Sequence, residues 1–392
     1  MKVGFYVHRV ASAPGFENVV SAHVQLPLHT LNLLHAQGHN VHLITTEYGA
    51  HLSLPNFLSP DIPLYTVAYG SLQGDELVMY TGRKRGIRPL KLIKQLFQFK
   101  QIVDKEKYDI LHFSGSSGMV FLAGLLSLIG VRTPIILTIN IGKGPARFPG
   151  SLFFWKKISA VITSTEFFKG KLKLEGIDIE VIKHGTIRNF SQETLKAPIE
   201  TSRHRVLFWR DPSYENGTDI CLKVYKKLAS KYPDVNFDLA VRPHWKPVAD
   251  LKKLSQDYTN INLFEFPYQD GITIEKLMAE AICVLLPFRE LSTHPQFAVL
   301  ESLQAGIAVV TTALDSNLEI IENQKNGYLV PVGDIQGTAE IVEMLLNDRE
   351  HAKKIGAQAA VDIALNWNWN NYISEILRVY SGALYKSRKQ LK

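Results

Sequence analysis

The sequence predicts an α/β protein made of two Rossmann-like, doubly wound domains facing a central cleft, and three observations carry that expectation. Its 392 residues exceed one ordinary core and suit two. In both halves short buried-strand runs alternate with helical text, the βαβ rhythm of a parallel sheet covered on both faces. Between the halves, residues 191–204 lose apolar periodicity and contain a proline, which reads as a linker.

Taken in order, the first series places strands at residues 2–7, 41–46, 110–113 and 134–139, with helical text at 20–38 and 118–130. Two more short strands, 160–163 and 179–182, flank a polar helix at 166–175. The second series places strands at 206–209, 236–241, 261–264, 282–287, 308–312 and 328–330, separated by helices such as 220–231 and 274–281. The domains are drawn as residues 1–193 and 205–369. Ligands of such sheets bind beyond the carboxyl ends of the strands.

Composition narrows the class. A hydrophobic content of 46% with 26 Gly and 18 Pro fits a folded chain and excludes disordered or fibrous ones. Cys221 and Cys283 lie far apart in apolar text, so they read as reduced core residues and point to the cytoplasm. Residues 1–7 form a strand opening without the features of a signal peptide. The longest apolar run, 119–131, is about thirteen residues, too short to span a bilayer.

The net charge of +7 favours an anionic partner. Arg83, Lys84, Arg85, Arg88, Lys91, Lys94 and Lys100 lie between Glu76 and Asp104 with no acid among them. After Pro89 apolar residues recur at three and four, which predicts a helix with one basic and one apolar side. Such a helix either packs its apolar side on the sheet or rests on an anionic membrane surface; nucleic acid is not expected, because no binding fold accompanies the charge.

The segment most specific for function runs from residue 282 to 331. It reads Ile-Cys-Val-Leu-Leu-Pro287, a loop to Gln296, a helix from about Phe297 containing Glu301, Gly306, the strand 307–312, then Asn-Leu-Glu-Ile-Ile-Glu-Asn323 and Asn-Gly-Tyr-Leu-Val-Pro-Val-Gly-Asp334. Over about fifty residues without a gap this order resembles the donor-binding domain of family 4 glycosyltransferases, retaining enzymes of the GT-B fold. Looser resemblances extend it: 206–217, with Arg210 kept and Asn216 where the family has Lys; 108–114, with His112 and Ser114; 135–140, ending in Asn140; and His184-Gly185 at the hinge.

The resemblance implies an amino-terminal acceptor-binding domain, a carboxy-terminal donor-binding domain, and a closing helix, 370–392, that packs back on the first, with Trp369 and Tyr380 at the family's positions. Glu301 takes the place of the Glu that accepts the ribose hydroxyls. Arg210, and the backbone N–H groups of Gln296 and Phe297 at the helix start, would hold the diphosphate, with Arg242 in place of the missing Lys charge. Eight positions before Glu301 the family has a second Glu facing the sugar; here Thr293 stands there, leaving its hydroxyl or Glu290 for that role. Asn140 replaces the sugar-facing His. Asn216, His294, Gly15 of the first loop, Tyr268 beside the base, and the sugar-facing His112 and Ser114 complete the set; capping of the loop is the other reading of His294, and a hydrogen-bonded core histidine the other reading of His112.

The expected reaction is transfer of a hexose from a nucleoside diphosphate sugar to a hydroxyl of a glycan, lipid-linked or small-molecule acceptor, with retention. No metal or other cofactor is expected, and the protein is placed in the cytoplasm, at the inner face of the membrane where the basic helix binds it. Thr293, Asn140, Ser114 and Asn216 also motivate a rival: a non-catalytic GT-B subunit that serves a partner enzyme. An epimerase of the same fold is the third reading.

Overall fold

A computed structural model describes residues 1–12, 22–49, 52–68, 89–142, 144–146, 150–174, 176–188, 204–242 and 251–390. Contacts divide the chain into two units, Met1–His184 with Trp369–Lys392, and Gly185–Asn368. The division precedes residue 193 because the chain from Gly185 already bonds to the second unit; the backbone N–H of Arg188 donates to the Glu301 carboxylate at 3.2 Å. Most of the expected linker, residues 191–203, lies outside the described residues, as do Gly15, Arg83, Lys84, Arg85 and Arg88.

In the first unit the order is β1 (Lys2–Val7), α1 (Ala22–Ala36), β2 (Asn40–Thr46), β3 (Leu64–Val67), α2 (Pro89–Glu106), β4 (Ile110–Ser116), α3 (Met119–Leu128), β5 (Ile135–Ile141), α4 (Ser151–Trp155), β6 (Ala160–Thr163), α5 (Glu166–Leu172) and β7 (Ile179–Val181). The strands form one parallel sheet in the order β3-β2-β1-β4-β5-β6-β7. The edge strand β3 is a correction to the sequence reading: three of its four residues are half-buried or exposed and only Val67 is buried, so no buried apolar run announces it. The helix expected at 166–175 stops at Leu172, because Lys173 turns into the left-handed conformation. Helix α5 starts on Thr165, whose hydroxyl accepts from Phe168 N–H and satisfies one of the free donors at the helix start. The terminal helix, Trp369–Gln390, belongs to this unit.

The second unit runs β8 (Arg205–Phe208), α6 (Thr218–Ala229), β9 (Asn236–Val241), α7 (Leu251–Asp257), β10 (Ile261–Glu265), α8 (Ile274–Ala279), β11 (Ala281–Leu286), α9 (Phe297–Gln304), β12 (Ala308–Thr312), α10 (Asn317–Ile320), β13 (Tyr328–Val330), α11 (Ile335–Asn347) and α12 (Arg349–Asn366). Its parallel sheet has the order β10-β9-β8-β11-β12-β13. On β11 successive side chains enter different cores: Cys283 and Leu285 join one cluster, Val284 and Leu286 another. That alternation is why the strand reads as an unbroken apolar run; both faces are covered by helices. Cys221 and Cys283 are free, buried thiols in the first of these clusters.

Both sheets reverse direction next to their first strand, between β1 and β4 and between β8 and β11. At such a switch point the loops leaving the two central strands diverge and open a crevice at their carboxyl ends. In the second unit those loops carry Arg210 and residues 287–296.

Candidate functional site

The loop after β8 is fixed by its own polar groups. Asn216 N–H donates to Ser213 Oγ at 3.2 Å, and Asn216 Nδ2 donates to the Asp211 carbonyl at 2.9 Å. Asn216 therefore braces the loop from inside. Gly217 closes it with φ +70°, and a Cβ there would stand 1.7 Å from the Pro287 carbonyl oxygen. No side chain fits between these backbones. Arg289 and Glu290 N–H groups both donate to the Glu215 carbonyl, at 2.8 and 3.2 Å, tying this loop to the one after β11. Gly217→Ala is expected to cost about 2–4 kcal/mol in a denaturant titration. An unchanged midpoint would mean that the Pro287 carbonyl yields without cost.

Within this frame Arg210 is half-buried, and its Nε is fully buried without a hydrogen-bond partner. Burial lowers its pKa, Asp211 and Glu301 raise it, and Arg242 lowers it further. Arg242 is held on the same Asp211 by a 2.9 Å bond from its Nε. Two guanidinium groups thus lie in the field of the Asp211 carboxylate.

Helix α9 begins on Gln296, whose side chain caps nothing; both atoms of its amide are buried without partners. No acid occupies the first turn, so the helix start keeps its positive end. Thr293 Oγ1 is likewise buried without a partner, whereas Glu290 is exposed. His294 is buried with its Nδ1 3.3 Å from Ser316 Oγ.

Glu301 lies one turn into α9 and is only 4% exposed. Burial pushes its carboxyl up to about 7; Arg188 and Arg210 pull it down and Glu275 pushes it up. The reading from sequence did not include Arg188, Glu275 or Asp211. Arg188 Nη1 donates to Glu275 Oε1 at 2.8 Å. Tyr268 is half-buried beside them, its hydroxyl pushed up to about 12 by burial, with Arg188 and Arg242 opposing. Only Asp211, adjacent to Arg210, had a local signal that could have marked it.

In the first unit Asn140 is the penultimate residue of β5, accepting from Ser164 Oγ at 3.1 Å while its Nδ2 stays buried without a partner. His112 takes the place of a core histidine. It is fully buried, with Nδ1 2.6 Å from Tyr380 Oη and Nε2 2.6 Å from Thr138 Oγ1. Burial lowers its pKa to about 3. A neutral ring with both nitrogens engaged joins β4, β5 and the terminal helix and has no group left for a sugar. Ser114, also buried, sits opposite Thr138 in the β4–β5 register.

Among the described residues no group of three or more His, Cys, Asp or Glu is disposed to hold a metal ion.

The family model described as Glycosyl transferases group 1 matches residues 191–362, and the one described as Glycosyl transferase 4-like matches residues 16–167. A phosphatidyl-myo-inositol mannosyltransferase of Mycolicibacterium smegmatis is 22% identical over 389 residues, covering 97% of this chain and 93% of its own. A glycosyltransferase from Rickettsia africae superposes with a TM-score of 0.74 at 16% identity, covering 98% of each chain. Anabaena HepE in complex with UDP superposes with a TM-score of 0.70 at 17% identity, covering 97% of this chain and all of that one. At such identities the structural likeness speaks to the fold alone.

Proposed function

The chain is a glycosyltransferase of the GT-B type, and from that premise we propose that it moves a hexose from a nucleoside diphosphate sugar to a hydroxyl acceptor with retention, as family 4 enzymes do. The product would be a polysaccharide, glycolipid or other glycoconjugate. The observation that carries this reading is a set of buried polar atoms without partners at the carboxyl ends of β8 and β11: Arg210 Nε, the Gln296 amide and Thr293 Oγ1, in the unit that holds Glu301. Folded proteins pair nearly all such atoms, and each unpaired one costs about 1–3 kcal/mol. Several in the loops that leave two neighbouring strands mark a place that a polar ligand satisfies.

In the proposed step the bond between the sugar's anomeric carbon and the phosphate oxygen breaks, and its electrons go to the departing diphosphate. Arg210 and the start of α9 stabilise that charge where it develops. The acceptor oxygen bonds to the anomeric carbon on the same face, and its proton passes to a phosphate oxygen. No titrating protein base is needed, which suits an amide at Asn140; its Nδ2 is free to donate to a substrate hydroxyl. Positive side chains supply the charge that a metal would otherwise bring.

The test is incubation with UDP-, GDP- and ADP-sugars, following nucleotide release. Release that an acceptor accelerates is expected; silence throughout, with Arg210 and Glu301 variants indistinguishable from wild type, overturns the reading. Nucleotide binding without turnover on any acceptor would identify the non-catalytic subunit instead.

We further propose that the acceptor is met at an anionic membrane surface at the inner face of the membrane. Helix α2 divides its apolar residues: Leu96, Phe99 and Val103 enter the core, while Leu90, Ile93 and Phe97 are 83%, 49% and 60% exposed among the exposed Lys91 and Lys94. Packing on the sheet accounts for the first set only. No helix of the described residues is long and apolar enough to cross a membrane. Leu90→Asp with Phe97→Asp should reduce sedimentation with anionic vesicles about tenfold, from the lost apolar area; sedimentation unchanged by the pair overturns the assignment.

A further inference from the structure

Arg188 and Glu275 form an ion pair that lies outside the site as the sequence outlines it and that nothing in the mechanism above uses. Arg188 follows the Gly185-Thr186-Ile187 segment at the start of the second unit; Glu275 sits in the first turn of α8, behind the Thr273 cap. Their side chains are 32% and 28% exposed. A pair so open to solvent contributes about 0–1 kcal/mol to stability. Stability therefore does not explain its placement against a buried carboxylate.

That placement is specific. The backbone N–H of Arg188 is on Glu301 Oε1 at 3.2 Å, and its guanidinium is one side chain's length away, on Glu275. The charges of Arg188, Glu275 and Arg210 all act on Glu301, and those of Arg188 and Glu275 also act on Tyr268. The inference rests on the nucleotide-sugar reading, with the diphosphate on Arg210 and the ribose on Glu301. The base then extends from the ribose away from the phosphates, a nucleoside's length toward Arg188, Glu275 and Tyr268.

Base edges differ in the order of their polar groups. Uracil and guanine present a carbonyl acceptor beside a ring N–H donor, a lactam edge; adenine presents an amino donor beside a ring nitrogen acceptor. Arg188 has five N–H donors, of which the Glu275 bond occupies one, and Glu275 offers only acceptors. Side by side they present a donor and an acceptor, the complement of a lactam. With Arg188 on the side of the exocyclic group and Glu275 on the side of the ring nitrogen, adenine would set its amino group against Arg188 donor to donor and its ring acceptor against Glu275. We propose that the Arg188–Glu275 pair reads the lactam edge of the donor's base, so that the donor is a UDP- or GDP-sugar and not an ADP-sugar.

Calorimetric titration of UDP, GDP and ADP at pH 8, where Glu301 is ionised, tests this. Wild type is expected to bind UDP or GDP at least about tenfold more tightly than ADP, because a site built to hydrogen-bond one edge rejects the edge that lacks it. The comparison of UDP with GDP reports whether the pocket admits a pyrimidine or a purine. Arg188→Ala and Glu275→Gln should each weaken the preferred nucleotide about tenfold and leave ADP nearly unchanged, collapsing the preference. Arg188→Lys, which keeps the charge but loses the planar fork, should do the same. The backbone N–H on Glu301 is untouched by these substitutions, so a merely electrostatic role would weaken all three nucleotides alike. Silence of wild type toward every nucleotide overturns the transferase reading itself. ADP binding as tightly as the others, or a preference that survives the substitutions, overturns this inference and leaves that reading standing.

Discussion

Arg210→Ala is expected to lower sugar transfer about 10²–10³-fold, the usual effect of removing one preorganised group from a developing negative charge. The loss should appear in kcat as well as in donor affinity, because the charge on the departing diphosphate is larger in the transition state than in the bound donor. Arg210→Lys should recover part of it, since a point charge remains but the forked donors do not. The same substitutions carry a second, opposite expectation. Arg210 Nε is buried without a partner in the protein, so deleting it removes a desolvated donor; the melting temperature of Arg210→Ala should equal or exceed that of wild type. Activity and stability falling together would assign Arg210 to the scaffold.

Glu301 should make donor binding depend on pH with a known sign. Burial pushes its carboxyl from the ordinary 4.5 up to about 7, so below that pH the free protein holds it mostly as the neutral acid. Two ribose hydroxyls donate far better to a carboxylate than to the acid. Nucleotide affinity is therefore expected to rise with pH through 7 and to level off above it, falling by up to about tenfold per unit on the acid side as binding releases one proton. Glu301→Gln should flatten this profile and weaken binding throughout, because an amide offers a single acceptor oxygen. For stability the sign reverses. A carboxyl whose folded pKa is raised contributes most below its unfolded value, and that contribution is lost as pH rises toward 7. A profile that keeps its slope in Glu301→Gln would assign the titration to another group.

Much of this was legible in the residues themselves. Strand β11 is apolar along its whole length because both faces are covered, and a period that simple survives translation from text to structure. Glu301, Arg210 and Gln296 were legible because one stretch of chain, strand to loop to helix, both supplies and positions each group. β3 was not: an edge strand covered on one side needs no apolar run. His112 left two readings open for a different reason. Its strand text matches that of a sugar-facing histidine, and what removes it from that role is Tyr380, 268 residues along the chain.

By itself, then, the sequence determined the two βα series, their parallel sheets and the loops at which a phosphorylated donor would be held, since these follow from local periodicity and from groups a few residues apart. Only the tertiary structure decided how those groups are ionised and paired. Glu301 owes its raised pKa to burial, against the opposing pull of Arg188, 113 residues away in the chain, and Arg242 owes its place to Asp211 on the neighbouring strand's loop. Desolvation and hydrogen-bond geometry depend on which distant residues exclude water from a side chain, and no local spacing records that.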